Sequence, residues 1–175
     1  MQKRGLLKRL NEGTVICAEG FLFEAERRGY MSSGEFVPEI ALENPEALRN
    51  IHIDFQHAGS DVVVAFTYNG HREKMRVINE EHLLEPLNRT ALQIAKQISE
   101  EITFGEPNLI AGNISGTHIW DPNDEKSKNE VRLMFREMIN WAKEEGADYI
   151  IGETFYFAEE AYVALEEIKK LNFPA

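Results

Sequence analysis

The sequence has few of the features that mark several common classes of protein. Cys17 is its only cysteine, which excludes an internal disulfide framework and a zinc site built from several cysteines of this chain. No apolar run approaches the roughly 20 residues that a membrane helix requires. Basic residues are also scarce, with 19 Lys and Arg against 30 Asp and Glu and a formal net charge of -11. Because nucleic-acid binders need a basic face, this balance argues against a nucleic-acid partner.

Two sequence signals are also missing. The first apolar run leads into CAEGFLFE, whose single glycine gives little support to a dinucleotide or phosphate cradle. The N-terminal MQKRGLLKRL has no long apolar core and no small-residue cleavage pattern, so a secretory signal is not expected. Its leucines predict instead a short amphipathic helix over residues 1–12 that covers one end of the domain. The single cysteine fits a reducing compartment, and the expected location is the cytoplasm.

What the sequence does contain is a repeat of apolar, β-branched runs, each followed by a helical pattern. The runs are TVICAE (14–19), DVVVAFTY (61–68), NLIAGNIS (108–115) and YIIGETF (149–155). Short, nearly continuous apolar runs are typical of strands buried on both faces. Strand and helix alternating four times predict parallel βαβ units.

Two architectures contain such units, a doubly wound sheet and a (β/α)₈ barrel. A complete barrel needs about 250 residues, and this chain has 175. The barrel interpretation therefore predicts an α/β fold in which residues 1–175 form one partial domain, the N-terminal half of the barrel with about four parallel βα units. The final LNFPA favours the half-barrel, because a helix has just ended and a proline-containing turn leads toward another strand.

Polar residues recur at the carboxyl ends of the four runs, where parallel α/β folds gather their chemistry. The most informative are Glu19, Asn113 and Glu153. A lone carboxylate after an apolar run is costly to bury unless it is paired or used. Structural alternatives remain open: Glu153 could pair with a neighbouring helix, Glu19 could interact with a helix dipole, and Asn113 could cap a loop. His71 begins the charged run HREK and is predicted to lie on the surface.

Three stretches of the chain resemble the homocysteine S-methyltransferase family, and within it the betaine–homocysteine methyltransferase branch. They are GTVICAEGFLFEAERRGY, VPEIALENPEALRNIHIDFQHAGSDVVVAFTY and IIGETF. The resemblance implies a (β/α)₈ barrel that transfers a methyl group to the thiol of homocysteine, giving methionine. It also implies a zinc ion, held by three cysteines from later strands, that binds the substrate sulfur as a thiolate. Those cysteines are absent from this chain and Cys17 matches none of them, so we expect no metal site in this chain alone.

The resemblance also implies roles for particular residues. The family's glutamate that holds the homocysteine amino group falls on Glu153. The family's Asp-Gly turn falls on Ala18, Glu19 and Gly20, so Glu19 is expected to replace the aspartate. Together with Asn113 at the third strand end, Glu153, Glu19 and Gly20 form the expected substrate-binding set.

The expected methyl-donor pocket is less complete. In the betaine branch, aromatic residues surround the donor's quaternary ammonium through cation–π attraction. Two of those positions are aromatic here, Phe36 and Tyr68, but the other two are Asn69 and Thr154. The incomplete aromatic box puts betaine in doubt and leaves the donor open.

Three functional hypotheses follow. The first is a truncated methyltransferase that binds homocysteine and a methyl donor and is enzymatic only when complete. The second is a non-catalytic half-barrel that binds an amino acid or pairs with a partner, either a second half-barrel or another copy. For such a half-barrel we expect two unpaired sheet edges and an exposed apolar interior. The third is an unrelated doubly wound domain, which would have a different strand order.

Overall fold

The computed structural model describes residues 3–31 and 38–175, which form three strands and eight α-helices. The helices are α1 (Leu6–Glu12), α2 (Phe21–Arg27), α3 (Ile40–Glu43), α4 (Pro45–His57), α5 (Arg72–Val77), α6 (Leu84–Glu101), α7 (Glu125–Glu144) and α8 (Ala158–Lys170). The strands are β1 (Val62–Val64), β2 (Leu109–Ser115) and β3 (Tyr149–Glu153). A short 3₁₀ helix, Glu81–Leu83, precedes α6.

The sheet places successive chain segments side by side in chain order. Its strand order is β1-β2-β3, and both strand pairs are parallel. An isolated parallel bridge between Cys17 and Val62 adds the segment before α2 to the outer edge of β1. On the far edge of β3, the Ile150 N–H donates to the carbonyl of Pro174 at 2.9 Å. This sequential parallel order is the order of a barrel segment and confirms the predicted partial (β/α)₈ architecture.

The first two strands are shorter than the sequence predicts. The run 14–19 contributes only the bridge at Cys17, because side chains replace part of its ladder: the Ala18 N–H donates to Ser60 Oγ at 3.1 Å. The run 61–68 is a strand only over Val62–Val64. Beyond it the Thr67 N–H donates to the carbonyl of Ala65 at 2.8 Å, so the Thr67 side chain rather than its backbone N–H bonds β2.

The helices begin and end where local chemistry favours it. The Asn44 side chain accepts the Ala47 N–H at 3.2 Å, and Pro45 occupies the first position of α4. The side chain of Asp124 caps α7 by accepting the Lys126 N–H at 2.8 Å. Gly146 follows α7 with a φ of +88°, a left-handed conformation that glycine adopts without steric cost.

The helices cover one face of the sheet, and the site described below lies on the other. Gly112 faces the helices, because a Cβ added there would lie 2.7 Å from the Cβ of Ala142 on α7. Side chains alternate along a strand, so Asn113 and its alternate neighbours face inward, toward the barrel axis. The expectation of an exposed apolar interior is wrong for most of this inner face: Val62, Val64, Leu109 and Ala111 are at most 1% exposed.

Helix α1 lies against the segment that leads into β2, at the amino-terminal end of the strands. Arg4 forms an ion pair with Glu106, and Arg9 donates to the carbonyl of Pro107. Leu6 packs against the core, whereas Leu7 is 71% exposed. Among the described residues, no helix combines the length and apolar character needed to cross a membrane.

Candidate functional site

A cleft of about 390 Å³ opens at the carboxyl ends of the strands. Its walls carry two carboxylates, Glu19 and Glu153, and the described lining residues include no Lys, Arg or His. The remaining lining residues are Gly20, Phe21, Leu22, Phe23, Phe66, Tyr68, Asn113 and Thr154. The cleft therefore combines an apolar, aromatic wall with negative charge that no neighbouring cation neutralises.

Glu153 reaches the cleft because it is the last residue of β3 and faces inward. On the adjacent β2, Asn113 pairs with Ile151 and Ser115 pairs with Glu153. Glu153 and Asn113 therefore lie diagonally across the strand pair, and the Asn113 Nδ2 donates to the Glu153 Oε1. Asn113 is 3% exposed, and its Oδ1 has no hydrogen-bond partner among the described residues.

Thr67 holds the backbone of Asn113 in place. Its hydroxyl donates to the Asn113 carbonyl at 2.6 Å, and the Asn113 N–H donates back to the same hydroxyl oxygen at 3.2 Å. Both residues are buried, at 2% and 3% exposed. Hydrogen bonds therefore run from Thr67, in the segment after β1, through Asn113 on β2 to Glu153 on β3, and they fix the direction of the carboxylate.

The second carboxylate belongs to Glu19, on the segment that pairs with β1. Burial of the carboxyl group, and then the negative charge of Glu153, raise the pKa of Glu19 to about 7. The Cys17 Sγ lies 3.5 Å from Glu19 Oε1 and is placed to donate to it. Burial and the Glu19 charge raise the pKa of Cys17 to about 12, so its thiol stays protonated and is a poor nucleophile.

Packed aromatic rings form the apolar wall of the cleft. The ring of Phe21 stacks on Phe66 with centroids 5.6 Å apart and meets Phe55 edge-on at 5.0 Å. Behind Phe21 lies His52, fully buried with a centroid distance of 4.7 Å. The adjacent Phe23 is 74% exposed and therefore offers an accessible aromatic surface.

Three of the four residues expected in the donor pocket are described, and the cleft includes two of them. Tyr68 and Thr154 line the cleft. Asn69 is buried outside the cleft lining, with its N–H donating to Ser115 Oγ at 3.3 Å, and Phe36 lies outside the described residues. Thr154 has a positive φ of 56°, a strained conformation for a β-branched residue of the kind that clusters at functional sites. Asn69 has a φ of 57°, which asparagine adopts more readily.

The prediction that His71 lies on the surface is wrong. His71 is 1% exposed, and its Nδ1 accepts the Lys74 N–H at 3.4 Å as the N-cap of α5. Burial lowers its pKa to about 3, so the imidazole is neutral.

The sequence patterns did not single out Phe21 and Phe66 as cleft residues. The run FLFE directly after Gly20 was nevertheless a signal of apolar side chains beside the expected substrate site.

The described residues do not fit the zinc centre that the family resemblance implies. Across residues 3–31 and 38–175, no group of three or more His, Cys, Asp or Glu side chains could hold a metal ion. Cys17 is the only cysteine available, and its neighbours are a carboxylate and a phenol rather than further thiols.

Comparisons with known proteins place the chain in a family. The sequence model of homocysteine S-methyltransferases matches residues 16–175. The chain belongs to the homocysteine S-methyltransferase family. It is 36% identical over 177 residues to betaine–homocysteine S-methyltransferase 1 of Sus scrofa, covering 98% of this chain and 62% of the pig protein. It is also 32% identical over 173 residues to the S-methylmethionine–homocysteine S-methyltransferase BHMT2 of Pongo abelii, covering 98% of this chain and 45% of that protein.

A solved structure supports the fold of this homocysteine S-methyltransferase family member. The metallated form of the homocysteine methyltransferase MmuM from Escherichia coli superimposes with a TM-score of 0.79 at 18% identity. The superposition covers 95% of this chain and 63% of the bacterial enzyme. The chain thus spans less than two thirds of these relatives, in keeping with a partial barrel.

Proposed function

We propose that this chain carries the homocysteine-binding part of a methyltransferase that converts the homocysteine thiol into the thioether of methionine. The observation that supports the proposal best is the pair of carboxylates in a cleft whose described lining has no cation. An unneutralised negative site beside aromatic rings suits an organic ammonium group. Homocysteine carries one, and family membership makes it the leading candidate.

In this proposal Glu153 accepts a hydrogen bond from the homocysteine ammonium group, with Glu19 as a second carboxylate of the cleft lining. Both carboxylates line the cleft, so one ammonium between them would offset one negative charge and relieve their mutual repulsion. Gly20 follows Glu19 with a φ of +85° and lets the chain turn sharply into α2 beside the ligand. Asn113 completes the substrate-binding set through its contact with Glu153.

The reaction forms a bond between the homocysteine sulfur and the methyl carbon, while the bond between that carbon and the donor breaks. The thiol proton passes to solvent water, and the donor departs with the electrons of its bond to the methyl carbon. A donor with a positively charged methyl-bearing group would be attracted by the two carboxylates and by the faces of Tyr68 and Phe23. The zinc ion that the family resemblance implies would need ligands other than the described residues. No step of this proposal therefore involves a metal.

A second candidate function is a non-catalytic half-barrel that binds an amino acid. The lack of a metal-binding group among the described residues favours it. Under either function, we expect a second half-barrel or another copy of the chain to cover the edge beside Cys17. If the chain is part of the methyltransferase, we expect it to form methionine in the cytoplasm, because a single cysteine fits a reducing compartment.

Binding of L-homocysteine, followed by NMR titration or calorimetry, tests the proposal. In Glu153→Gln the charged hydrogen bond is lost, and we expect affinity to fall by about 1.5–3 kcal/mol. Glu46→Gln, the same substitution at an exposed position of α4, serves as the control. Unchanged affinity in Glu153→Gln would remove Glu153 from the site. Methyl transfer measured with and without a second half-barrel then separates the enzyme from the non-catalytic binder.

A further inference from the structure

We propose that Asn113 is a positioning residue that orients Glu153 for recognition of the substrate's ammonium group. This inference rests on the proposed function and assigns Asn113 an action through Glu153 rather than a contact with the thiol or carboxylate of the substrate. Its basis is the hydrogen bond from the Asn113 Nδ2 to the Glu153 Oε1, formed inside the cleft wall.

The direction of that hydrogen bond leaves one carboxylate oxygen available. Asn113 occupies Oε1 of Glu153, and the described residues provide no Lys or Arg partner for Glu153. The second oxygen, Oε2, is therefore the one that can receive an N–H from a ligand. A carboxylate held by a single neutral donor keeps its full charge, whereas pairing with Arg or Lys would neutralise it.

Asn113 is itself held too firmly to adapt to a different carboxylate position. Its backbone N–H and carbonyl are both bound by the Thr67 hydroxyl, and the residue is 3% exposed. The amide orientation is fixed by its neighbour, because the opposite orientation would place Oδ1 against the Glu153 carboxylate. The remaining Oδ1 is buried and has no partner among the described residues.

The substitution Asn113→Leu removes the donor while keeping a side chain of similar size. The matched control is Asn108→Leu, at the residue directly before β2 and so near the opposite end of that strand. Asn108 is also a buried asparagine, 5% exposed, and its Nδ2 also donates a hydrogen bond, to the Ile102 carbonyl at 2.7 Å. Asn108 lies outside the cleft lining, so its loss affects stability without affecting Glu153.

The test compares L-homocysteine with 4-mercaptobutanoate, which has the same thiol and carboxylate but no amino group. By NMR titration, Asn113→Leu is expected to weaken homocysteine binding by roughly 10-fold or more and to leave 4-mercaptobutanoate binding within about twofold. In the Glu153→Gln background the same change is expected to have less than about a twofold effect, because there is no charged partner left to orient. Asn108→Leu is expected to bind both ligands as the unsubstituted chain does.

The possible results separate this inference from the proposed function. If the unsubstituted chain binds homocysteine and Asn113→Leu binds it equally well, the positioning role alone is overturned. Equal weakening for both ligands would show a general structural effect and would also overturn it. No homocysteine binding by the unsubstituted chain would overturn the proposed function, and the positioning role with it. Urea unfolding of each variant, measured alongside, establishes that the compared proteins are folded.

Discussion

Acid is expected to destabilise this chain through His52, which lies behind the aromatic wall of the cleft. His52 is fully buried on α4, and neither of its ring nitrogens has a hydrogen-bond partner among the described residues. Burial lowers its pKa to about 3, against roughly 6.5 in an unfolded chain. Between these values the unfolded chain binds a proton that the folded chain does not. The stability linked to neutral His52 is therefore fully present above about pH 6.5 and is lost progressively as the pH falls toward 3.

The size of the effect follows from this difference in proton binding. A pH of 5 lies about 1.5 units below the pKa of the unfolded histidine. At 1.36 kcal/mol per unit, protonation of the unfolded chain lowers the free energy of unfolding by about 2 kcal/mol. His71, also buried with a pKa lowered to about 3, adds a similar cost. The two histidines together cost about 4 kcal/mol, a large fraction of the 5–15 kcal/mol typical of a domain. Glu19 offsets part of this cost, because its pKa is raised to about 7 and the folded chain therefore binds that proton more readily than the unfolded chain.

Replacing His52 by leucine isolates its share. At pH 7.5 we expect His52→Leu to lie within about 1 kcal/mol of the unsubstituted chain, because two unpaired polar atoms are exchanged for apolar ones. Between pH 7.5 and pH 5 it is expected to lose about 2 kcal/mol less. The assay is urea unfolding at both pH values, followed by circular dichroism. His57→Leu, at the exposed end of the same helix, is the control. Equal acid losses in His52→Leu and the unsubstituted chain would refute the reasoning.

Three further predictions concern the site and the sheet. Glu153→Gln is expected to lower the pKa of Glu19, because a negative charge that raises it is removed; carbon NMR of the Glu19 carboxyl measures this, and no shift would mean that the two groups do not interact. Gly112→Ala is expected to destabilise the chain by about 1–3 kcal/mol in urea, since its Cβ would lie 2.7 Å from that of Ala142, whereas Gly5→Ala meets no atom within 4 Å and serves as the control. Metal analysis of the purified chain is expected to find no stoichiometric zinc; tightly held zinc would contradict this.

The sequence alone predicted much of the fold because the βα repeat is written in local patterns. Apolar β-branched runs alternate with amphipathic helices, and Asn44 with Pro45 specifies the start of α4. The predicted ends of the first two strands were wrong for a non-local reason. Whether a β-branched run stays in the ladder depends on partners elsewhere in the chain. One such partner is Ser60, whose hydroxyl oxygen accepts a hydrogen bond from the Ala18 N–H.

The candidate site was likewise predicted in part from the sequence and decided in part by the tertiary structure. Strand periodicity and family resemblance were enough to nominate Glu19, Asn113 and Glu153, since parallel strands bring their carboxyl ends to one edge. Only the tertiary structure decided which of them touch. The Asn113–Glu153 hydrogen bond spans 40 residues of sequence, and the burial of His71 depends on elements that pack around it from elsewhere in the chain. Local sequence determines which residues can form a strand or a helix, but contacts between distant segments determine which side chains are desolvated, paired or left free, and those contacts give the cleft its charge.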